Sequence, residues 1–447
     1  MKRTAVAASA VVLLAPLTAC GGDARAGDDG TVTVTVGYQS KTINTVTAGT
    51  LLRSLGYFEK QLDALGDGRR YKVVWQDHAT GAPITAQMTA GKTDIGSMGD
   101  FPLLINAARG QQLNRPTRMV SVTGYNLRGG LNTVVTAPDS KLTSLKDLKG
   151  KKVSTSVGSA ADGTLVRALQ RAGIDPAKDI EKLNQQPAVG ASALSAGSAD
   201  ALSQFVAWPG LLAHQGKAKA LYDGAQLNLP TFHGVAVRED FAKKHPAVLD
   251  AFLKAQAEAT DYLNERPVAA AEKVAEATGL PAEVVYLYNG AHGIATFDPA
   301  IKPGLVSALK QDVSILKSAK LTGDVDVDAF VDDRYVRKAL GASYAERVAS
   351  APPTPESEVW PKGAARTRTF ASPEELLRHV AAHPGEVRAA YVPDATTGTF
   401  WFADKAVWVA DGGKLLPFVA PATARAYAAR HDGARVISYA EALERAS

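Results

Sequence analysis

The sequence predicts an α/β fold followed by a small α+β domain, and three stretches carry that prediction. The first is Asp77–Pro102, DHATGAPITAQMTAGKTDIGSMGDFP, in which turn, helix and strand signals alternate down to a second turn. The second, Lys151–Ala172, returns to the same order with a strand, a small-residue turn and a helix. The third is Pro352–Pro361, PPTPESEVWP, a proline-rich boundary beyond which strands and helices become short.

Taken in order, Thr31–Val36 alternates Thr and Val, the period of a strand. It ends in Gly37-Tyr38-Gln39-Ser40-Lys41, at the sheet edge where open α/β folds bind ligands. Leu51–Leu65 reads as one helix with Gly56 inside it. Tyr71–Trp75 is a β-branched and aromatic strand. The turn Ala79–Pro83 then opens a helix, with Pro83 suited to the first helical position and Thr80 placed to cap it. Ile84 and Met88 recur at helical spacing until Gly91 stops the helix. Thr93–Met98 is a short strand, and Gly99-Asp100-Phe101-Pro102 opens another helix. Two sets of free backbone N–H groups therefore point at one sheet edge, a geometry that favours small anions and polar head groups. This is half of a ligand-binding cleft.

The run GAPITAQMTAGKTDIGSMGDFP resembles the nitrate/sulfonate/taurine class of periplasmic-type substrate-binding proteins, which feed ABC importers. That class carries a G-x-P helix and then A-G-x-x-D-x-G-x-x-G-D at this spacing. The likeness runs from about Val32 to about Leu340, and LLRSLGYFEKQL, LTSLKDLKG and REDFAKKHPAVLDAFLKA extend it. The resemblance implies a two-lobe, periplasmic-binding-protein-like fold of type II. Lobe 1 takes residues 31–128 and 230–350 and lobe 2 residues 129–229. The first crossing falls near Gly124–Gly130, where Gly129-Gly130 can absorb backbone rotation.

In lobe 2 the strand Lys151–Val157 runs into Gly158–Thr164, which opens the helix Leu165–Ala172 and presents N–H groups across the cleft. No Gly-Lys-Ser/Thr follows, so this is not a phosphate loop. Ser192–Asp200, SALSAGSAD, stops a helix before the strand Ala201–Val206, which ends at Ala207-Trp208-Pro209. The chain re-enters lobe 1 near Leu229–Gly234 and continues through Val235–Val237. Asp240–Leu263 reads as helical, Thr278–Val285 opens a helix capped at Thr278, and Asn289–His292 is a loop placed to face the cleft. The ligand-binding candidates are Gln39, Ser40, Thr80, Gly81, Gly99, Asp100, Phe101, Tyr125, Ser159, Ala160, Trp208 and His292. The resemblance implies ligand contact at the Gln39–Ser40 loop and a cleft-wall aromatic at Trp208; Trp208, Tyr125 or Phe101 would cover the apolar part of the ligand.

The N-terminus reads as a signal. Met1-Lys2-Arg3 is charged, Ala5–Leu14 is apolar but too short to span a bilayer, and Leu17-Thr18-Ala19-Cys20 resembles the bacterial lipobox. Residues 1–20 are the signal, Cys20 is the lipidation site, and 21–30 form a Gly/Asp-rich tether. Cys20 is the sole cysteine, so no disulfide forms within the chain. The net charge of +5 drops to about +3 without Lys2 and Arg3, too little to argue for nucleic acid. Hydrophobic residues at 46% and charged residues at 21% are globular values.

After a linker at 351–365, residues 366–447 form the small domain. Ser372-Pro373-Glu374-Glu375 starts a helix. Val387–Val392, Gly398–Ala410, Leu415–Phe418 and Arg435–Ser438 are strands, and Ala422–Arg430 and Tyr439–Arg445 helices. The stretch AAYVPDATTGTFWFADKAVWVADGGKLLPFVAPATARAYAARHDGARVISYAEAL resembles NosL-type domains, lipoprotein accessories with a copper-handling role. Copper needs soft ligands, and this tail has no Cys and no Met; of His379, His383 and His431 only the first two share a helix face. The tail therefore reads as a non-metallated structural or interaction module.

No Gly-x-Ser-x-Gly elbow and no usable thiol marks an enzyme. His78, His233 and His292 read as ordinary hydrogen-bonded residues rather than acid–base catalysts. The expectation is a monomeric, extracytoplasmic lipoprotein on the cell membrane. It would use no cofactor and no metal, capture a small polar ligand of the sulfonate, nitrate or taurine kind, and deliver it to a permease with its ATPase. The alternatives are a copper-handling accessory working through the tail, or a pyrimidine-synthase-like enzyme on the same fold. The latter resembles this family but holds iron through a Cys/His-rich segment, which the mature chain lacks.

Overall fold

A computed structural model of the protein describes residues 30–447. The signal, Cys20 and the tether up to residue 29 lie outside the described residues. Two sheets form the body. The first has six strands in the order Thr296–Phe297, Thr117–Asn126, Thr231–Arg238, Ile95–Gly99, Thr31–Tyr38, Arg70–Asp77. Thr31–Tyr38 runs parallel to both neighbours, whereas Thr231–Arg238, returning from the other sheet, is antiparallel to both of its own. The second has five strands in the order Glu181–Asn184, Lys152–Thr155, Ala201–Phe205, Asn132–Thr136, Lys219–Asp223. Ile95–Gly99 and Ala201–Phe205 are buried at every residue because helices cover both sheet faces.

The chain crosses between the sheets twice, after Asn126 and after Asp223. The crossings run side by side, with the Leu229 N–H donating to the Arg128 carbonyl at 3.1 Å. Gly129 stands at φ +103°, a conformation that L side chains rarely adopt.

Behind the body lie a four-stranded sheet (Arg368–Phe370, Ser357–Pro361, Val387–Pro393, Phe400–Phe402) and a three-stranded one (Lys414–Phe418, Val407–Asp411, Arg435–Ile437). The helices Pro373–Ala382, Pro421–Ala428 and Tyr439–Ala446 accompany them. One hydrophobic cluster runs without a break from the body into this module, joining Leu131, Val206 and Tyr286 to Trp360, Tyr391 and Phe402.

Several elements differ from the sequence expectation for local reasons. Gly56, at φ +65°, splits the expected helix into Thr50–Leu55 and Tyr57–Asp63. Pro246 has no N–H to continue a ladder, so Asp240–Leu263 becomes Glu239–Lys244 and Pro246–Glu265. Thr278 closes the helix Pro267–Thr278 instead of opening one, its hydroxyl donating back to the Val274 carbonyl. Gly398–Ala410 is two strands with a turn between them. The expected linker 351–365 contains the strand Ser357–Pro361, because Val359 and Trp360 bury completely, while Pro361 falls at the strand end beside an irregularity.

Candidate functional site

The gap between the two sheets holds two neighbouring cavities. The larger, about 600 Å³, is lined by Thr80, Gly81, Pro102 and Arg109 from the first lobe and by Ser156–Ser159, Asn184 and Gln186 from the second. The smaller, about 240 Å³, lies between Ser40, Lys41, Asp77 and His78 on one side and Gln186, Pro187 and Trp208 on the other. Gln186 lines both.

Helix starts dominate the larger cavity. Thr80, Ser159 and Gln186 are the residues before the helices Gly81–Thr89, Ala160–Arg171 and Pro187–Ser195, and all three line it. Each follows a strand that ends at the sheet edge. The first N–H groups of such helices lack intrahelical partners and carry the positive end of the dipole, worth about 0.3–1 kcal/mol each toward an anion. At Ser159 the side chain accepts from the Asp162 N–H at 3.3 Å, and Asp162 Oδ2 accepts from the Gly158 N–H at 3.0 Å. Neither Thr80 nor Gln186 makes a side-chain cap bond, and the Thr80 hydroxyl is buried without a partner. Thr80 therefore occupies the cap position without capping through its hydroxyl.

In the smaller cavity Asp77 is engaged by Ser40, whose N–H donates to Oδ1 at 2.8 Å and whose hydroxyl donates to Oδ2 at 2.7 Å. Burial lowers the His78 pKa against the opposing pull of Asp77.

The remaining candidates divide. Gln39 is buried as a support, its Nε2 donating to the Ser97 carbonyl at 3.0 Å. Gly99 faces lobe 2: a Cβ there would stand 3.1 Å from His233 Nε2 and 3.7 Å from Ala160 Cβ. Phe101 is buried against Gly163 of the second lobe.

Three candidates leave the cleft. Asp100 is fully buried with its carboxylate turned inward, accepting from the Phe101 N–H at 2.8 Å and the Phe232 N–H at 3.3 Å. Tyr125 is buried with its hydroxyl unpartnered beside a different cavity, which Asp298, Arg347 and Pro353 also line. His292 faces the C-terminal module, its Nδ1 2.7 Å from the Thr354 carbonyl and its Nε2 3.8 Å from Glu358. The loop Asn289–His292 follows a helix that packs on that module, which is why it points away from the gap.

Sequence reasoning passed over Ser156, Asn184 and Gln186. The polar pair Gln185-Gln186 before Pro187 was the available signal, since a proline at the first helical position marks another helix start. His233 comes to the gap as well. Its Nδ1 pairs with the Asn44 side-chain amide, and its Nε2 lies on the Gly99 side. Burial lowers its pKa to about 3, keeping it neutral. In the C-terminal module the His379 and His383 rings lie 4.2 Å apart and tilted, and among the described residues no group of three or more His, Cys, Asp or Glu is arranged to hold a metal ion.

Residues 73–270 match the model of the family described as NMT1/THI5 like. A putative aliphatic sulfonates-binding protein of Escherichia coli K12 is 27% identical over 281 residues, 63% of this chain and 82% of that protein. A protein of the same name in Bacillus subtilis 168 is 26% identical over 342 residues, 76% of this chain and 97% of that protein. Among solved structures, the alkanesulfonate-binding protein SsuA of Xanthomonas axonopodis pv. citri, bound to MOPS, superposes with a TM-score of 0.58 at 23% identity. It covers 67% of this chain and 98% of its own. The matched residues 73–270 lie on the two-sheet body that carries the cleft, and that body has the fold of the alkanesulfonate-binding protein on which it superposes.

Proposed function

We propose that the protein is a solute-binding lipoprotein that captures a small polar anion of the sulfonate kind between its lobes and delivers it to an ABC permease with its ATPase. One observation carries this reading: helix starts from both lobes, marked by Thr80, Ser159 and Gln186, line a single cavity of about 600 Å³. Opposed N–H clusters of this kind hold a sulfonate or carboxylate without a dedicated cation. The names of the matched relatives agree with that chemistry. Ser40, Thr80, Gly81, Ser159 and Trp208 line the two cavities and are the proposed contacts, with Gly99 and Ala160 closing the gap behind them. Cys20 is the proposed lipid anchor, holding a monomer on the outer face of the cell membrane. The proposed role is capture rather than turnover, with helix starts, hydroxyls and amides from both lobes as the binding groups.

Isothermal titration of the mature chain with ethanesulfonate, taurine, nitrate and a neutral amide tests the reading. Saturable 1:1 heat is expected with at least one anion and none with the amide. Absence of binding to every anion, or preference for the amide, would overturn it.

A further inference from the structure

The C-terminal module rests on both lobes and on both crossings at once. Its loop Asp394–Thr399 is held in shape by Asp394, whose Oδ1 accepts from the N–H groups of Thr396 and Thr397 at 2.8 and 2.9 Å and whose Oδ2 accepts from the Val419 N–H at 2.7 Å. The loop directs the Thr397 and Thr399 hydroxyls onto Asp223 Oδ2, both at 2.7 Å. Asp223 ends a lobe 2 strand just where the second crossing begins, and it is buried. A Cβ at Gly130, in the first crossing, would stand 3.2 Å from Thr399 Oγ1. The same loop thus lies against both hinge strands.

Other contacts spread outward from there. On lobe 1, Arg388 donates to Glu283 at 2.6 Å and to Glu272 at 3.2 Å, and the Tyr391 hydroxyl donates to the Glu283 carbonyl at 2.9 Å. Tyr286 packs between Trp360 and Tyr391, with ring centroids 5.3 and 5.5 Å away. On lobe 2, Arg425 donates to the Thr143 carbonyl at 2.9 Å, and Phe402 lies 5.4 Å from the His214 ring.

We infer that the C-terminal module is a hinge brace, clasping Asp223 on one lobe and Glu283 on the other and so resisting the opening of the cleft. Rotation of one lobe against the other turns about the two crossings. A body bonded to both lobes and seated on the crossings cannot keep all these bonds through that rotation. At the lobe angle of the structure all these bonds are made together, with Arg167 bonded to Asp312 across the gap. This function does not depend on which solute the cleft takes.

The test measures the distance between spin labels on Cys introduced at Leu113 and Val189, exposed residues on opposite lobes, in the full chain with Cys20 replaced by serine. The parent is expected to show one narrow distribution without added solute. Removing both hydroxyls from the Asp223 clasp (Thr397→Val with Thr399→Val) should broaden it and shift it to longer distances, and Thr397→Ser with Thr399→Ser should restore it. Arg388→Met, at the opposite anchor, reads the same distance should the double valine variant fail to fold. An unchanged distribution in a folded variant at either anchor would overturn the brace.

Discussion

Gly163 shows how one missing side chain can set the lobe contact. It sits inside the helix Ala160–Arg171, where alanine would ordinarily add about 1 kcal/mol to helix stability. Yet a Cβ there would lie 2.0 Å from the tip of the Phe101 ring, and Phe101 is only 2% exposed and has nowhere to move. Gly163→Ala is therefore expected to hold the lobes apart. Overpacking of this size costs about 1–3 kcal/mol, so solute affinity should fall about 5- to 150-fold. Titration calorimetry checks it, and tighter or equal binding would refute the contact. His233 makes a second residue-scale prediction. Burial lowers its pKa to about 3 from an unfolded value near 6.5. Its contribution to stability is thus complete above pH 6.5 and is lost as acid drives the pH down toward 3. Thermal unfolding of His233→Gln should lose less stability between neutral and acidic pH than the parent does.

At the scale of elements, two helices from different lobes meet through a largely buried pair, with Arg167 half-buried and Asp312 buried. Arg167 on Ala160–Arg171 donates to Asp312 on Pro303–Ser318 at 2.6 Å. Burial raises the pKa of both carboxyls nearby, Asp100 to about 6 and Asp312 in the same direction, with Asp100 adding to the effect on Asp312. Arg167→Met would leave two buried carboxyls without their cation, a loss of about 3–5 kcal/mol for a broken buried pair. Raised carboxyl pKa values mean that stability is present at low pH and lost as pH rises through the folded value. The deficit of the variant should therefore be larger near neutral pH than at about pH 5. Chemical denaturation at both pH values measures it, and equal deficits would show that the guanidinium does not compensate those charges.

The whole molecule depends on a seam that joins all three parts. Asp223 lies in it, and burial together with Asp394 raises its pKa to about 6. Being raised above its unfolded value near 3.8, the group contributes its stability at low pH and loses it as pH rises through 6. Asp223→Asn carries no charge to bury, so its melting temperature should fall less than that of the parent between about pH 5 and pH 7. A fall as large as the parent's would mean that this carboxyl does not titrate in the seam.

Local chemistry was enough to read the strand–turn–helix units at Asp77–Pro102 and Lys151–Ala172. A small-residue turn after a β-branched run marks a helix start, although each helix begins before the expected position, at Gly81 rather than Pro83 and at Ala160 rather than Leu165. The same local rules located Thr80, Gly81 and Ser159, and the family resemblance pointed to Ser40 and Trp208; all five line the cavities. They could not say which way Asp100, Tyr125 and His292 would turn, because burial against distant partners decides that: Phe232 for Asp100, the cavity beside Asp298 and Arg347 for Tyr125, Thr354 for His292. Nor could they show that the C-terminal module sits on the hinge. Its bonds to Asp223 and Glu283 join residues more than a hundred positions apart, and only the packed chain brings them within reach.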